Sequence, residues 1–464
     1  MHATASEPDP PAEPHCSAAR TAVCCRPWVG WASLLLLALC IRAAVLIGLF
    51  ANLSMDVDGY RWLAESLASD QVYGSVGPHG EPHPTAFRPP LYPLLLSFCV
   101  DDGQLDLYRV LVLHLLWGLF AVAGTYWLGR RMLGAGGGWV AGLLVAVDPI
   151  LLVQSTYVMT ETLAVALCVG GWMLWLALLR CVQDTPHRRG RLSLLAASLA
   201  GMLVAAFFCR PTFLIWAVLL CGWLVLLGIG RRQGGLLATA CVIAIALLVS
   251  ISAWAYRNSQ QLGHPVWATS HGGYTLLLGN NPPFYDYLRE GRYGVAWDAE
   301  PFHRAWTERY AADPLDDTFW DEHADSDSDP PAVEDEVADD RLAYEVARQT
   351  IRQQPAMFAW ACVVRVGRLW SPLPHQTADR SGAKLWGIAA FYGTWFVAVV
   401  VGLWRLGRRL LQPAWMAGIL LAIALSAVHL VYWSNMRMRA PATPLLALVA
   451  AAGLGLRNRE SVDF

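Results

Sequence analysis

Ten apolar runs, each close to the roughly 20 residues a helix needs to cross hydrocarbon, decide what this chain can fold into. They read as 28–50, 108–128, 138–157, 163–179, 192–208, 212–228, 236–256, 384–404, 415–433 and 441–456. Inside lipid a segment must satisfy its own backbone hydrogen bonds, so unbroken runs of this length are read as helices. Composition agrees: 56% of residues are apolar and 15% charged, against roughly 25% charged in soluble domains. A soluble enzyme, a disordered chain and a secreted disulfide scaffold are excluded as descriptions of the whole. The expected class is an all-α polytopic membrane protein of about ten transmembrane helices. The eleven cysteines include no C-x-x-C pair, and most sit in apolar runs, where Cys acts as a small hydrophobe. Neither a disulfide framework nor a zinc site is read. Cys24 and Cys25 precede the first run, where acylation competes with chance placement. The basic residues are almost all Arg, with Lys384 the only lysine. That is compositional bias and not a nucleic-acid site.

Arginine placement sets the direction. Arg130 and Arg131, Arg180 with Arg188, Arg189 and Arg191, Arg231 and Arg232, Arg405 with Arg408 and Arg409, and Arg457 with Arg459 fall at alternate span ends. By the positive-inside rule these ends are cytoplasmic, and Arg20 and Arg26 put the N-terminal tail with them. The expected organisation is a cytoplasmic tail 1–27, with the first run as a retained anchor, and a transmembrane core 28–256 with a first outer loop 51–107. A long outer segment 257–383, the last spans 384–456 and a cytoplasmic tail 457–464 follow. Three outer stretches, 60–68, 91–100 and 357–370, suit helices lying in the interface. Residues 313–340 hold thirteen Asp or Glu and no Lys or Arg. That composition predicts a disordered, solvated insert dispensable for catalysis.

Polar residues that could carry chemistry gather on the outer face. Asp56-Val57-Asp58-Gly59-Tyr60 opens the first outer loop. Carboxylates two apart share a side of extended backbone. They could grip a metal or a sugar hydroxyl, or one could act as a general base. The bland alternative makes Asp58 a helix N-cap. Arg88, held extended by Pro89, presents a fork suited to phosphate or to lipid head groups. Glu161 begins a span, where the helix dipole alone would favour it. Arg210, Arg437 and Arg439 stand at outer turns against the inside-positive pattern, which points to an anionic ligand. Asn280-Asn281-Pro282 offers amides to sugar hydroxyls, or plain turn chemistry. Arg42 and His114 lie within spans and could pair there or serve the site.

In order along the chain, the motifs are Asp56-Val57-Asp58-Gly59-Tyr60, Ala86-Phe87-Arg88-Pro89-Pro90-Leu91-Tyr92-Pro93, Met159-Thr160-Glu161-Thr162-Leu163 and Arg210-Pro211-Thr212. Then come Gly279-Asn280-Asn281-Pro282, the stretch 348–370, and Arg437-Met438-Arg439-Ala440-Pro441. The set resembles the GT-C glycosyltransferases that use polyprenyl-phosphate sugars, especially bacterial relatives of protein O-mannosyltransferase and of the lipid A aminoarabinose transferase. The resemblance implies a bacterial cytoplasmic-membrane enzyme with its cleft on the outer face. The implied partners are a polyprenyl-phosphate sugar donor, membrane lipid, and a glycan, lipid or protein acceptor. It implies that the first acidic residue of the outer loop, Asp56, is the catalytic carboxylate. The second falls on Asp58, because Val57 interrupts the adjacent pair usual in the family. Met438 likewise replaces a usual aromatic. Arg88, Arg210, Arg437 and Arg439 become donor-phosphate ligands, and Tyr60, Glu161, Asn280 and Asn281 substrate contacts. No cofactor is required by the residues, although Asp58 and Glu161 could hold a divalent metal. A transporter or lipid-linked sugar flippase is the rival, but such proteins often show internal repeats and paired broken spans, and none is read here.

Overall fold

A computed structural model of the chain describes residues 27–76, 80–183, 189–291, 295–329, 331, 333, 335–374 and 382–455. Arg20, Arg26, Cys24, Cys25, Arg188, Arg457 and Arg459, and with them the two expected tails, lie outside the described residues.

The helices follow the apolar runs. Helix α1 is Pro27–Gly48, α2 Tyr60–Ser69 and α3 Leu91–Ser97. Then come α4 Leu107–Leu133, α5 Ala135–Ala146, α6 Pro149–Gln154, α7 Glu161–Gln183, α8 Arg189–Cys209, α9 Phe213–Gly230 and α10 Gly234–Leu262. The second outer segment carries α11 Gly272–Gly279, α12 Pro282–Arg289, α13 Glu300–Thr307, α14 Phe319–Glu322, α15 Glu336–Gln353 and α16 Pro355–Leu369. The chain closes with α17 Gly382–Leu406, α18 Pro413–Val431 and α19 Thr443–Gly453. Two short antiparallel hairpins in the first outer loop are the β-structure of the described residues.

Eight helices, α1, α4, α7, α8, α9, α10, α17 and α18, are long and apolar enough to cross a membrane. The other two expected runs differ from simple spans. The run 138–157 is broken: Asp148 turns its carboxylate onto the Leu151 N–H at 2.8 Å and caps α6, while Pro149 cannot extend the ladder of α5. The broken pair nevertheless matches α1 in length. Trp139 lies against Gly30 near one end, and Asn52 donates to Thr156 at 3.1 Å near the other. The run 441–456 becomes a 3-10 turn, Met436–Ala442, followed by α19 of 11 residues. Helix α19 runs beside α17 in the same direction, from the Trp395–Leu446 hydrogen bond to that of Arg405 with the Gly453 carbonyl. Almost all of it is buried in the bundle, where an apolar helix can be short because protein surrounds it on every side.

The two segments expected on the outer face are more ordered than their composition suggests. Helices α2, α3 and α16 appear where interfacial helices were expected. The expectation of a solvated insert over 313–340 is corrected. Phe319 and Trp320 are buried, and Trp320 stacks between Phe302 at 5.4 Å and Trp306 at 6.2 Å. Further on, Asp335 caps α15 and Asp339 pairs with Arg309 at 2.6 Å. Asp340 accepts from the Gly273 N–H at 2.6 Å. Glu336 holds the first outer loop through the Ala86 N–H at 2.7 Å and the Thr85 hydroxyl. Net acidity suggested water; two aromatic anchors and specific donors overrode it. Asp313, Asp316, Asp317, Asp321, Asp325, Asp327 and Asp329 face solvent as expected.

Candidate active site

The site forms where the first outer loop, the start of α7, the α8–α9 turn and the 3-10 turn before α19 meet. Gly59 sets its first wall. Its φ of +74° is a left-handed conformation that favours glycine, and a Cβ there would lie 2.6 Å from the Trp62 Nε1. The turn at Gly59 separates the two carboxylates before it. Asp56 folds onto α2, its oxygens accepting from the N–H groups of Arg61 at 3.1 Å and Trp62 at 3.2 Å. Gly59 has no side chain to cap the helix, so Asp56 supplies the cap from three residues upstream. Asp58 faces the opposite way, toward arginines. Asp56 thus occupies the helix-cap position, and Asp58 is the carboxylate that lies among the cations.

Arg88 Nε donates to the Asp58 backbone carbonyl at 2.7 Å, and its Nη2 stands 3.4 Å from the Asp58 carboxylate. Arg437 Nη2 approaches the other Asp58 oxygen at 4.0 Å and Nε reaches Glu161 at 3.8 Å. Arg210 Nη2 pairs with Glu161 at 2.9 Å, while its Nε donates to the Thr160 hydroxyl at 2.7 Å. Glu161 is 1% exposed and its Oε2 accepts no hydrogen bond among the described residues. Burying a charge is costly unless it is paired, and Arg210 answers that cost. Asp58 and Arg437 remain 25% and 27% exposed, so the open side of the cluster is theirs. Three guanidiniums face two carboxylates, leaving one positive charge in excess.

The remaining expected residues lie elsewhere. Arg439, two residues past Arg437, points the other way: it donates to the Leu369 and Ser371 carbonyls and lies 4.6 Å over the Tyr392 ring. It anchors the turn and does not join the Asp58 cluster. Tyr60 is buried beneath Arg88, 5.5 Å from ring to guanidinium, and meets Tyr92 edge-on at 5.1 Å. Burial pushes its phenol up to about 12, so it supports Arg88 as a neutral ring. Asn280 and Asn281 are fully buried, and Asn280 Oδ1 accepts from the Tyr285 hydroxyl at 3.0 Å and Arg365 Nη1 at 3.1 Å. Asn280 bridges the Leu276 and Val431 carbonyls, and Asn281 caps α12 through the Phe284 N–H at 2.8 Å. Both amides are thus engaged within the fold. His114 is a tether, linking the Tyr92 hydroxyl and the Ser155 carbonyl, and Arg42 donates to the Val145 carbonyl.

A divalent metal does not fit these residues as they stand. Arg437 spans Asp58 and Glu161, where a metal would sit, and no three His, Cys, Asp or Glu side chains converge among the described residues. Sequence reasoning passed over Thr160, which orients Arg210, and the Asp148–Tyr392 pair at 3.0 Å beside Arg439. A lone carboxylate before proline inside an apolar run was the available signal for Asp148.

The structure is similar to the oligosaccharyltransferase of Archaeoglobus fulgidus in its apo form, with a TM-score of 0.51 and 16% identity, over 92% of this chain and 50% of that one. The chain has a GT-C-type fold. The complex of that archaeal enzyme with an inhibitory peptide and a dolichol-phosphate also gives a TM-score of 0.51, at 14% identity over 92% and 50% of the two chains. ArnT from Cupriavidus metallidurans bound to undecaprenyl phosphate gives a TM-score of 0.36 at 14% identity, over 92% and 77%. The chain spans about half the length of the archaeal structures it matches. No protein-family model and no curated protein matches it.

Proposed function

We propose that this chain is an integral-membrane glycosyltransferase that moves a sugar from a polyprenyl-phosphate-linked donor to an acceptor hydroxyl. The observation that carries the proposal is the excess positive charge at the half-open cluster of Arg88, Arg210 and Arg437 around Asp58 and Glu161. The GT-C-type fold supports it, and so does the dolichol-phosphate in the similar archaeal structure. Arginine placement argues for the outer face of a bacterial cytoplasmic membrane, and the family resemblance for a mannosyltransferase-like hexose or pentose donor.

In the proposed reaction the acceptor oxygen attacks the anomeric carbon and the bond from that carbon to the phosphate oxygen breaks. The acceptor proton passes to the Asp58 carboxylate, and one displacement inverts the anomeric centre. The lipid phosphate leaves with an added negative charge, which Arg437 and Arg88 are positioned to meet. Glu161 holds Arg210 and Arg437 in place and does not itself touch the sugar. No step is assigned to a metal.

The test separates the two carboxylates. Loss of a general base costs about 10²–10⁴ in rate, so Asp58→Asn should nearly abolish transfer of radiolabelled sugar from polyprenyl phosphate in membranes carrying equal protein. Asp56→Asn should stay within a few-fold of wild type, because Asn caps a helix about as well as Asp. The opposite ranking would return the catalytic role to Asp56. Full activity in both variants would leave the transferase reading without its base.

A further inference from the structure

We propose that Phe87, His271 and Tyr274 form a carbohydrate-stacking strip beside Arg88 that seats a pyranose ring of the substrate. The proposal deepens the transferase reading and rests on it for the choice of ligand. The rings follow one another away from the cluster. The Arg88 guanidinium lies 4.4 Å over Phe87, Phe87 meets His271 at 4.6 Å, and His271 stacks on Tyr274 at 5.1 Å and 27°. The Tyr274 hydroxyl continues the line to His303 Nδ1 at 3.0 Å. All three rings are half-buried, so each keeps some surface open while its body is fixed.

The strip is held rigidly, as a binding surface should be. The Ser270 N–H donates to the Ala86 carbonyl at 3.0 Å and ties the two loops together. Glu336 grips the same Ala86 from the other side. Tyr274 packs on the buried cluster of Phe302, Trp306 and Trp320. The His271 ring nitrogens have no hydrogen-bond partner among the described residues.

The chemistry of the strip selects its occupant. Burial, with Arg88 beside it, pushes His271 down to about 3, and burial lowers His303 as well. Both imidazoles are neutral at pH 7. The three rings therefore offer aromatic faces and uncharged donors and acceptors, with the Arg88 charge at one end of the strip. A pyranose matches that pattern, presenting a C–H face to rings and hydroxyls at its rim. In the proposed reaction donor and acceptor meet at Asp58, and the seated ring belongs either to the donor sugar or to a glycan acceptor, which the kinetic arm of the test decides.

Saturation-transfer NMR on the detergent-solubilised full chain, with methyl α-mannoside, α-glucoside and α-galactoside as probes, tests binding without any transfer. Ring C–H saturation is expected for at least one glycoside. It should persist in Asp58→Asn and in His271→Phe, which keeps a ring, and fall several-fold in His271→Ala and Phe87→Ala. No saturation in wild type, or unchanged saturation in both alanine variants, would overturn the strip, and either result leaves the transferase reading standing. In the transfer assay, His271→Ala should raise KM about tenfold with kcat little changed. A rise for the acceptor assigns the strip to the acceptor sugar, and a rise for the donor assigns it to the donor sugar. A collapse of kcat with both KM values unchanged would overturn the assignment.

Discussion

Two arginines in one short turn show how much a single residue step decides. Arg437 faces Asp58 and Glu161, while Arg439 faces carbonyls and the Tyr392 ring. A lysine keeps charge but loses the planar fork. Arg437→Lys should therefore lower transfer at least tenfold with unchanged thermal unfolding. Arg439→Lys should instead lower the unfolding temperature, because Arg439 Nη1 bridges two carbonyls while its flat guanidinium lies over the Tyr392 ring, a contact the shape of an ammonium does not reproduce. Equal unfolding temperatures in the two variants would contradict this division. Gly59 carries the same logic into the backbone. A left-handed conformation costs an L-residue about 1–2 kcal/mol, and the added methyl would press on Trp62. Gly59→Ala should displace Asp58 and reduce transfer far more than it reduces stability, read by activity and thermal melting on one preparation.

At the scale of elements, α15 is the brace that joins both outer segments to the site. Its first turns hold Ala86 through Glu336, Arg309 through Asp339 and Gly273 through Asp340. Gly273 lets α11 approach closely, since a Cβ there would lie 2.0 Å from the Asp340 carbonyl oxygen. Burial raises the Asp340 carboxyl to about 6, with the Gly273 N–H opposing the rise. A raised carboxyl favours the folded state when protonated. The gain is fully present below the ordinary value near 3.9 and is lost as pH rises through about 6. Amide-exchange protection across α11 and α15 should thus be higher at pH 4.5 than at pH 7.5. Asp340→Asn should flatten that difference. Beside the brace, Trp320 fills the core of the acidic stretch. Truncating a buried Trp costs about 3–5 kcal/mol, so Trp320→Ala should open 313–340 to limited proteolysis, which a solvated linker would already permit in wild type.

For the whole molecule the governing quantity is direction across the membrane. Ser75 and Ser328 are exposed in the two outer segments, and Gly234 is exposed at the start of α10. Cysteines placed at Ser75 and Ser328 should react with an impermeant thiol reagent on intact cells, and one at Gly234 should not. Labelling of Gly234→Cys from outside would invert the orientation and put the cluster on the wrong face. The eight long helices and the broken pair α5–α6 make a frame in which the arginine-rich ends lie opposite the cluster. Arg130 and Arg131 close α4 at its far end, and Arg405 reaches the last turn of α19.

The sequence alone determined the class, eight of the ten expected spans and the order of the motifs, because hydrophobic length is a local property that membrane insertion reads directly. Asp58, Arg88, Glu161, Arg210 and Arg437 were all legible as candidates, and the fold gathers them into one cluster. Their roles were not. Whether Asp56 or Asp58 faces the cations depends on the φ of Gly59, and which arginine of the last motif turns inward depends on how the 3-10 turn packs on α16 and α17. The burial of Asn280, the break at Asp148 and the folding of the acidic stretch around Trp320 likewise required the tertiary structure. In each case the deciding partner lies far along the chain, and only packing brings it within hydrogen-bond or ring-stacking distance.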